Sequence, residues 1–278
     1  MTRRIQIQNF KGGVGKTTTA LHLAHGLSLR GKRVLLIDLD HQANATKGLG
    51  LVVREGQPVF YHLMVKDAPY RDVIVEARPN LFVVPSNELT SLAESHIAAE
   101  MGRELYLFNK LGDITEFDYM VVDCAPALSV LHNNALLFSE EMIIPVSMER
   151  WAVDGGLDIL KSADRMGRVY RRQPAICGVL PWKVDLRTNM THTVVQILDK
   201  AYGSKLLPQI RSDEKFKAAA AEGKTIFEFD PRSKGAQDYS SVTDAILAQE
   251  AKEPQSAEPV TAENGVEHGI TERIFATA

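Results

Sequence analysis

Three glycines in one short loop near the start of the chain constrain its fold more than any other sequence feature. The loop reads Lys11-Gly12-Gly13-Val14-Gly15-Lys16-Thr17-Thr18. The segment 5–8, in which isoleucine and glutamine alternate, precedes it, and apolar residues recur at helical spacing from Lys16 to Arg30, where Gly31 follows as a helix end. A strand, a glycine loop and a helix in this order predict the first unit of an α/β fold.

Short apolar runs alternate with longer segments of helical period along the rest of the chain. The predicted strands are 5–8, 34–37, 81–84, 120–122, 142–145, 176–180 and 205–207. Besides the helix that begins at Lys16, helices are predicted at about 87–111, 128–140, 155–172, 190–202 and 235–249. Because apolar strands that alternate with helices are buried on both faces, the pattern predicts a doubly wound α/β fold with a mostly parallel sheet.

Composition predicts one large domain followed by a tail. The chain has 278 residues, of which 45% are hydrophobic and 24% charged, as in ordinary globular proteins. We expect residues 1–250 to form the domain and residues 251–278, rich in Glu, Pro, Ala and Thr, to form a flexible acidic tail. Val266, Ile270 and Ile274 lie four residues apart in that tail, which leaves open a membrane-surface helix with an acidic polar face.

Charge, cysteine content and hydropathy exclude several classes of protein. The net charge of −3 falls entirely on the tail, so residues 1–250 carry 30 basic and 30 acidic side chains, and any affinity for nucleic acid has to come from a local patch. Cys124 and Cys177 lack the spacing of a zinc site or a disulfide framework. No apolar run has the length of a signal peptide or a membrane span, so we expect a soluble cytoplasmic protein without stable membrane binding.

The glycine loop has the chemistry of a phosphate site. Glycines let the backbone approach a ligand closely, and the helix that follows presents free N–H groups and the positive end of its dipole to an anion. Lys16 would neutralise phosphate oxygens, and the Thr17 hydroxyl would ligate Mg²⁺. The general P-loop pattern places a glycine where this chain has Phe10, so a different loop pattern operates here.

Carboxylates follow two of the predicted strands at the end where ligands bind in open α/β sheets. Asp38 and Asp40 end the second strand and project in the same direction, because alternate residues of a strand share a face. Asp123 ends another apolar strand, as a carboxylate that supports Mg²⁺ does. We predict that Asp123 and Thr17 hold the metal and that Asp38 supports it through water.

The loop from Lys11 to Thr18 resembles the deviant Walker A motif of the ParA/MinD family of ATPases. The resemblance implies that ATP and Mg²⁺ bind at the loop, through Gly12, Gly13, Val14, Gly15, Lys16, Thr17 and Thr18. It also implies that Lys11 reaches across an ATP-dependent homodimer to the partner's nucleotide.

The segment 38–44 is similar to the family's DxDPQGN stretch. This similarity implies that Asp40 orients the attacking water. The catalytic residues implied by the resemblance are therefore Lys11, Lys16 and Asp40. His41 and Ala43 replace the family's usual proline and glycine there, and Ala125 replaces a usual proline after Asp123.

Later segments extend the resemblance from residue 5 to about 247. Two of them resemble the family's adenine-binding loops, with Asn189 and Pro208 at the matching positions, and in ParA proteins arginines at the positions of Arg187 and Arg211 help to bind DNA without sequence preference. The segment 148–156, with Asp154, resembles the one that packs across the dimer, and 223–239 resembles the ParA C-terminal motif. Apart from this resemblance, a helix over 155–172 would place four basic residues in one stripe: Lys161, Arg165, Arg168 and Arg172. Such a stripe is either a phosphate-binding face or ordinary solvated surface.

These resemblances together imply a partitioning ATPase. ATP would close a homodimer, the dimer would bind DNA non-specifically on the nucleoid, and a ParB-like partner would stimulate a slow intrinsic hydrolysis and so move a plasmid, chromosome or other cargo. A MinD-like ATPase that cycles on membranes is the first alternative, and the acidic tail argues against it. A metal-cluster carrier or reductase component is the second, and two unpaired cysteines argue against that.

Overall fold

The computed structural model describes residues 2–148, 167–172, 174–185, 187 and 189–250. Its strands are β1 (Arg3–Ile7), β2 (Val34–Asp38), β3 (Val75–Arg78), β4 (Leu81–Val84), β5 (Tyr119–Asp123), β6 (Glu141–Ser147), β7 (Ala175–Val184) and β8 (Ile210–Arg211). They form one sheet in the order β3-β4-β2-β5-β1-β6-β7-β8. Every neighbouring pair is parallel except β3 and β4. The doubly wound, mostly parallel α/β fold is thus confirmed.

The helices of the described chain cover both faces of this sheet. They are α1 (Lys16–Ser28), α2 (Asn44–Gly48), α3 (Phe60–Val65), α4 (Tyr70–Val73), α5 (Leu89–Ala98), α6 (Tyr106–Leu111), α7 (Val130–Phe138), α8 (Asn189–Tyr202), α9 (Lys215–Ala221), α10 (Ile226–Phe229) and α11 (Lys234–Glu250). Single 3₁₀ turns occur at Arg103–Leu105 and Gly203–Lys205. None of the helices found in the described ranges is both long enough and apolar enough to cross a membrane.

Alternate residues of the central strands pack into different apolar clusters. Tyr119 and Val121 of β5 join α1 and α11 on one face, whereas Met120 and Val122 join α3, α5 and α7 on the other. All four side chains are fully buried. Burial on both faces explains why the strands read as continuous apolar runs rather than alternating ones.

Six of the seven predicted strands overlap β1, β2, β4, β5, β6 and β7, and the strand predicted at 205–207 is wrong. There the chain makes the 3₁₀ turn Gly203–Lys205, Leu206 forms only an isolated bridge with Val179, and pairing resumes at Ile210 after Pro208, which has no N–H to donate. The edge strand β3 carries no apolar run and was not predicted.

The predicted helix boundaries hold for α1, α7, α8 and α11 within a few residues. The helix predicted at 87–111 is divided into α5 and α6, because Gly102 adopts a left-handed φ of 67° between them. Of the helix predicted at 155–172, residues 167–170 are helical and 155–166 lie outside the described residues. Lys161, Arg165, Asp154 and the tail 251–278 also lie outside the described ranges.

Candidate nucleotide site

The carboxyl ends of three adjacent parallel strands meet beside the glycine loop. In the sheet, β5 lies between β2 and β1. Asp123 of β5 pairs in register with Asp38 of β2 and with Ile7 of β1. Since β1 runs directly into the loop, this register brings both predicted metal-site carboxylates to the end of the sheet where the loop begins.

Asn9 and Gly15 fix the two ends of the loop. The Asn9 amide donates to the carbonyl of Pro145 on β6 at 2.8 Å, and its oxygen accepts the Lys11 N–H at 2.9 Å. Gly15 has a left-handed φ of 89°, and a Cβ there would lie 2.4 Å from Trp182 Cε2, so the indole packs directly against the loop backbone. Only glycine meets both conditions.

Helix α1 begins immediately after Gly15 and presents its first turn to the loop. No side chain of the described residues caps its N-terminus. The first N–H groups of a helix lack intrahelical partners, and together with the dipole they favour an anion at this end. The arrangement therefore fits the predicted phosphate cradle.

Lys16 lies folded over the loop rather than extended into solvent. Its side chain is buried, and Nζ donates to the Lys11 carbonyl at 2.9 Å. Burial lowers the pKa of Lys16, while the nearby carboxylates of Asp123 and Asp40 act in the opposite direction. The ammonium group thus stays among the carboxylates at the mouth of the site.

Asp123 carries the clearest sign of a cation site. It is fully buried, and among the described residues neither carboxylate oxygen accepts a hydrogen bond. Burial and the charge of Asp38 raise the pKa of Asp123 well above its usual range, and the nearby Thr17 hydroxyl and Lys16 ammonium only partly oppose that rise. A buried, unpaired carboxylate is costly, and a divalent cation would offset the cost. Asp123 and Thr17 therefore fit a Mg²⁺ ion.

Asp38, by contrast, is already engaged by the chain. One oxygen accepts the Asp40 N–H at 3.1 Å, and the other accepts the N–H and the hydroxyl of Thr46 at 2.9 and 2.7 Å. Burial raises the pKa of Asp38 to about 6, against the lowering effect of the Thr46 hydrogen bonds. Asp38 therefore holds the loop 40–46 in place, and its support of a metal through water stays a prediction.

Asp40 begins a tight turn whose shape depends on Ala43. The Asp40 carboxylate accepts the Gln42 N–H at 2.9 Å, and the Asp40 carbonyl accepts the Ala43 N–H at 2.8 Å. Ala43 adopts a left-handed φ of 53°, where the family resemblance has glycine. An alanine in this conformation costs about 1–2 kcal/mol. The turn keeps the shape suited to glycine despite the substitution.

The segment after Asp123 leads into α7. Ser129 caps that helix by accepting the N–H groups of Leu131 at 3.2 Å and His132 at 3.4 Å. The ring of His132 lies 4.8 Å from that of Phe10, which precedes Lys11. Phe10, which stands where the general P-loop pattern has glycine, thus packs against α7. Cys124 is buried, and burial raises the pKa of its thiol.

The two predicted DNA-binding arginines line one cavity of about 470 Å³. Arg187 pairs with Asp185 at 2.6 Å, and Arg211 pairs with Asp238 at 2.7 Å. The other lining residues within the described ranges are Val184, Asp185, Ser212 and Lys234. Arg187 follows β7 and Arg211 ends β8, so only the folded chain brings the two arginines together.

The predicted adenine contacts and the described part of the basic stripe lie outside the group of residues around the glycine loop. Pro208 is exposed before β8, and Asn189 begins α8, although its side chain lies outside the described set. Arg172 pairs with Glu140 at 3.2 Å and lies over the Phe108 ring at 4.5 Å. Its guanidinium is therefore already engaged, which favours the reading of the stripe as ordinary surface.

Three residues of the site region were missed by sequence reasoning. Trp182 packs on Gly15, Thr46 binds Asp38, and Asp238 binds Arg211. Each acts on a residue far away in the chain or on another element, so no local spacing reveals it. The only hint was the position of Asp238 inside the segment that resembles the ParA C-terminal motif.

The chain is similar to known proteins both in sequence and in structure. A family model described as an AAA domain matches residues 2–174. The sporulation initiation inhibitor protein Soj of Bacillus subtilis (strain 168) is 35% identical over 251 residues, which cover 89% of this chain and 99% of that protein. The chromosome-partitioning ATPase Soj of Treponema pallidum (strain Nichols) is 32% identical over 256 residues, which cover 91% of this chain and 100% of that protein. Among solved structures, the cobyrinic acid a,c-diamide synthase of Mycobacterium smegmatis with bound ATP analog and magnesium has a TM-score of 0.78 at 27% identity, covering 94% of this chain and 100% of that one.

Proposed function

The chain belongs to the ParA-type partitioning ATPases, and on that premise we propose that it is an ATP-dependent dimerising switch. In the proposed cycle, ATP and Mg²⁺ bind at the glycine loop and close a homodimer. The dimer binds duplex DNA without sequence preference, and a ParB-like adaptor or cargo-linked activator stimulates hydrolysis and release. The protein would then partition or position a plasmid, chromosome or other cargo from the cytoplasm and the nucleoid.

The observation that carries the nucleotide site is the buried, unpaired Asp123 carboxylate beside the glycine loop. The loop N–H groups of 12–18 would hold the phosphates, and Lys16 would neutralise their oxygens. Thr17 and Asp123 would hold Mg²⁺, whose charge would offset that of the phosphates when it is bound. Asp38 keeps the turn at Asp40 in place through its bonds to Asp40 and Thr46, so that Asp40 can orient the attacking water.

Lys11 would complete the site in the partner subunit. Its amide is fixed by Asn9, which sets the direction in which the chain enters the loop. A charge supplied across the dimer would stabilise the transition state only when two ATP-bound subunits meet. Hydrolysis would therefore be slow in the isolated subunit.

The remaining parts of the chain take roles that follow from the family. Asn189 and Pro208 would contact adenine, and Arg187 and Arg211 would contact DNA phosphates. Their common cavity supports a single phosphate-binding surface rather than two separate ones. Residues 1–250 would form the ATPase domain, with 251–278 as a flexible acidic tail.

Binding to unrelated duplex DNA tests the proposed cycle. The wild-type protein with ATP and Mg²⁺ should bind a labelled duplex at low salt, as measured by fluorescence anisotropy. Lys16→Ala should abolish the ATP-dependent part of this binding, because it removes the charge that neutralises the phosphates. Absence of wild-type binding, or full binding by Lys16→Ala, would contradict the proposal.

The dimer part of the cycle has its own test. Lys11→Ala should keep ATP affinity close to that of the wild type but reduce hydrolysis and ATP-dependent dimer formation. Nucleotide titration, phosphate release and light scattering measure these three quantities. The proposed role of Lys11 would be wrong if monomeric protein hydrolysed ATP as fast as the dimer.

A MinD-like membrane cycle is the second candidate, and the spacing of Val266, Ile270 and Ile274 is the observation that favours it. Liposome cosedimentation with ATP, using the whole chain and a form without residues 251–278, separates the two. ATP-dependent binding that requires the tail would replace the DNA cycle with a membrane cycle. No binding to liposomes of either form would support the DNA cycle.

A further inference from the structure

Arg211 is held by a carboxylate of its own chain. Its Nε lies 3.1 Å from both oxygens of Asp238, and its Nη2 lies 2.7 Å from Oδ1. The Arg211 backbone N–H also donates to Asp238 Oδ2 at 2.8 Å. This is a charge-assisted, multidentate pair, which is stronger than a single surface ion pair.

The partner of Arg211 is better sheltered than that of Arg187. The side chain of Asp238 is 11% exposed and that of Arg211 33% exposed, whereas the side chains of Asp185 and Arg187 are 36% and 89% exposed. Ion pairs in full contact with water contribute little, and they exchange partners easily. Of the two arginines of the cavity, Arg211 therefore loses more by leaving its present partner for a DNA phosphate.

The helix that carries Asp238 is fastened to the helix that follows the phosphate loop. Tyr239, the next residue of α11, has its hydroxyl 3.1 Å from the Thr19 hydroxyl in the first turns of α1. The Tyr239 ring also stacks on the ring of His22, with centroids 4.8 Å apart. A movement of α1 at the loop would thus reach α11 at the position of the Asp238–Arg211 pair.

The geometry points to Asp238 as an electrostatic latch on Arg211, a role that rests on the proposed DNA-binding function. While the latch is closed, the carboxylate neutralises Arg211 and competes with DNA phosphate for its guanidinium. Nucleotide-dependent movement of α1, passed through Thr19 and Tyr239, opens it. The latch makes DNA affinity depend on ATP and not only on the number of basic residues.

Removing the charge of Asp238 tests the latch. Asp238→Asn keeps an oxygen that can accept the Arg211 N–H, so the backbone contact survives. The variant should bind unrelated duplex DNA without nucleotide about tenfold more tightly than the wild type, and its salt dependence should steepen by about 0.9, the contribution of one phosphate contact. ATP should then raise its affinity less than it raises that of the wild type.

Two further variants show whether the gain in DNA affinity depends on Arg211. Asp244→Asn removes the same charge from the same helix at an exposed residue that pairs with Arg30 at 2.6 Å, and it should change nothing. Adding Arg211→Ala to Asp238→Asn should remove the gain. Thermal unfolding checks each variant, and Asp238→Ser replaces Asp238→Asn if the latter does not fold.

The outcomes separate the latch from the function on which it rests. If the wild type binds DNA with ATP but Asp238→Asn is unchanged without nucleotide, the latch is wrong and the DNA cycle stands. An equal gain in Asp244→Asn would also overturn the latch, because total charge would then explain the effect. Failure of the wild type to bind DNA with ATP would overturn the proposed function and the latch together.

Discussion

Among the residues of the phosphate loop, Gly15 combines two obstacles to replacement by a larger residue. Its left-handed backbone costs an alanine about 1–2 kcal/mol, and the Trp182 indole occupies the space of a Cβ. Gly15→Ala should therefore lower both thermal stability and ATP affinity, the latter by at least about tenfold, since a displacement of about 1 Å already disturbs such a site. Thermal unfolding and titration with a fluorescent ATP analogue measure the two effects.

Gly31 supplies the matched control for Gly15. It has a similar φ of 79°, but a Cβ there meets nothing within 4 Å. Gly31→Ala should lose only the backbone part of the stability, about 1 kcal/mol, and keep its ATP affinity. Equal effects of the two substitutions on ATP affinity would contradict the role of the Trp182 contact.

Asp123 illustrates how a binding site can weaken the fold that contains it. Asp123→Asn removes a buried, unpaired charge, so the free energy of unfolding of the nucleotide-free protein should rise by about 1–3 kcal/mol. The same change should abolish hydrolysis that depends on Mg²⁺. Denaturation in the presence of a chelator and phosphate release measure the two.

The protein should lose stability when Asp38, which pairs in register with Asp123, is replaced by asparagine. Asp38 is equally buried but accepts three hydrogen bonds, two of them from Thr46. Asp38→Asn cannot accept all of them and should destabilise the protein. A loss of stability in Asp123→Asn of the same size as in Asp38→Asn would contradict the assignment of Asp123 as an unpaired charge.

Among the elements, α1 and α10 are joined by a histidine whose two ring nitrogens are both used. His22 Nδ1 lies 2.6 Å from the Thr18 carbonyl, so it carries the proton, and Nε2 accepts the Ile226 N–H at 2.9 Å. Burial lowers the pKa of His22 to about 4. A second proton would bind to Nε2, where its N–H group would face the N–H group of Ile226. Two donors would then meet without an acceptor between them.

This neutral histidine predicts a loss of stability in acid. Between pH 6.5 and 4 the unfolded chain binds a proton that the folded chain excludes, so stability falls as the pH falls through this window. From pH 7 to pH 5 the free energy of unfolding should drop by about 2 kcal/mol from this residue alone. His22→Gln should lose that part of the drop, as measured by denaturant unfolding at both pH values.

The exposed His96 provides the control for this pH dependence. Its ring is 49% exposed, on α5 and away from α10. His96→Gln should keep the wild-type drop between pH 7 and pH 5. If His22→Gln retains the whole drop as well, the acid sensitivity comes from other groups.

The elements that sequence could predict are those with a long apolar period. Helices α1 and α11 and the buried strands were located because they pack against the sheet along their whole length. Helix α2 has only five residues and the edge strand β3 has only four, none of them fully buried, so neither shows an apolar period that a sequence pattern could reveal. Gly102 divides a continuous helical pattern by its backbone conformation, which no periodicity records.

The candidate site was predictable where its residues lie at the ends of buried strands. The glycine loop and Asp123 follow directly from strand ends, whose position in a parallel sheet is fixed. The Trp182 contact and the Asp238 pair arise only when distant segments meet, and the Thr46 hydrogen bonds arise only when α2 packs at the end of β2. Sequence located the charged residues but not their partners.

For the molecule as a whole, balanced charge makes DNA binding depend on a few local contacts. Residues 1–250 have no net charge, and among the described residues the cations that line the cavity are Arg187, Arg211 and Lys234. Arg187→Ala and Arg211→Ala should each reduce the salt dependence of ATP-dependent DNA binding by about 0.9. Anisotropy titrations over a range of salt concentrations give these slopes.

A cation at the opposite edge of the sheet serves as the control for the cavity. Arg71 lies on α4, next to the edge strand β3, and pairs with Glu116 at 3.4 Å. Arg71→Ala removes one positive charge without changing the cavity, and it should leave the slope unaltered. If Arg71→Ala reduced the salt dependence of DNA binding as much as Arg187→Ala and Arg211→Ala do, the attraction would be diffuse and no DNA-binding surface would be defined.

The contact between Trp182 and Gly15 also gives the molecule an optical probe of its own. The chain has two tryptophans, so Trp151→Phe leaves the indole at the phosphate loop as the single emitter. Its emission should change whenever the loop accepts or releases a nucleotide. Stopped-flow fluorescence could then time each stage of the cycle in unlabelled protein, in mixtures with DNA and activator where added dyes would disturb the equilibrium.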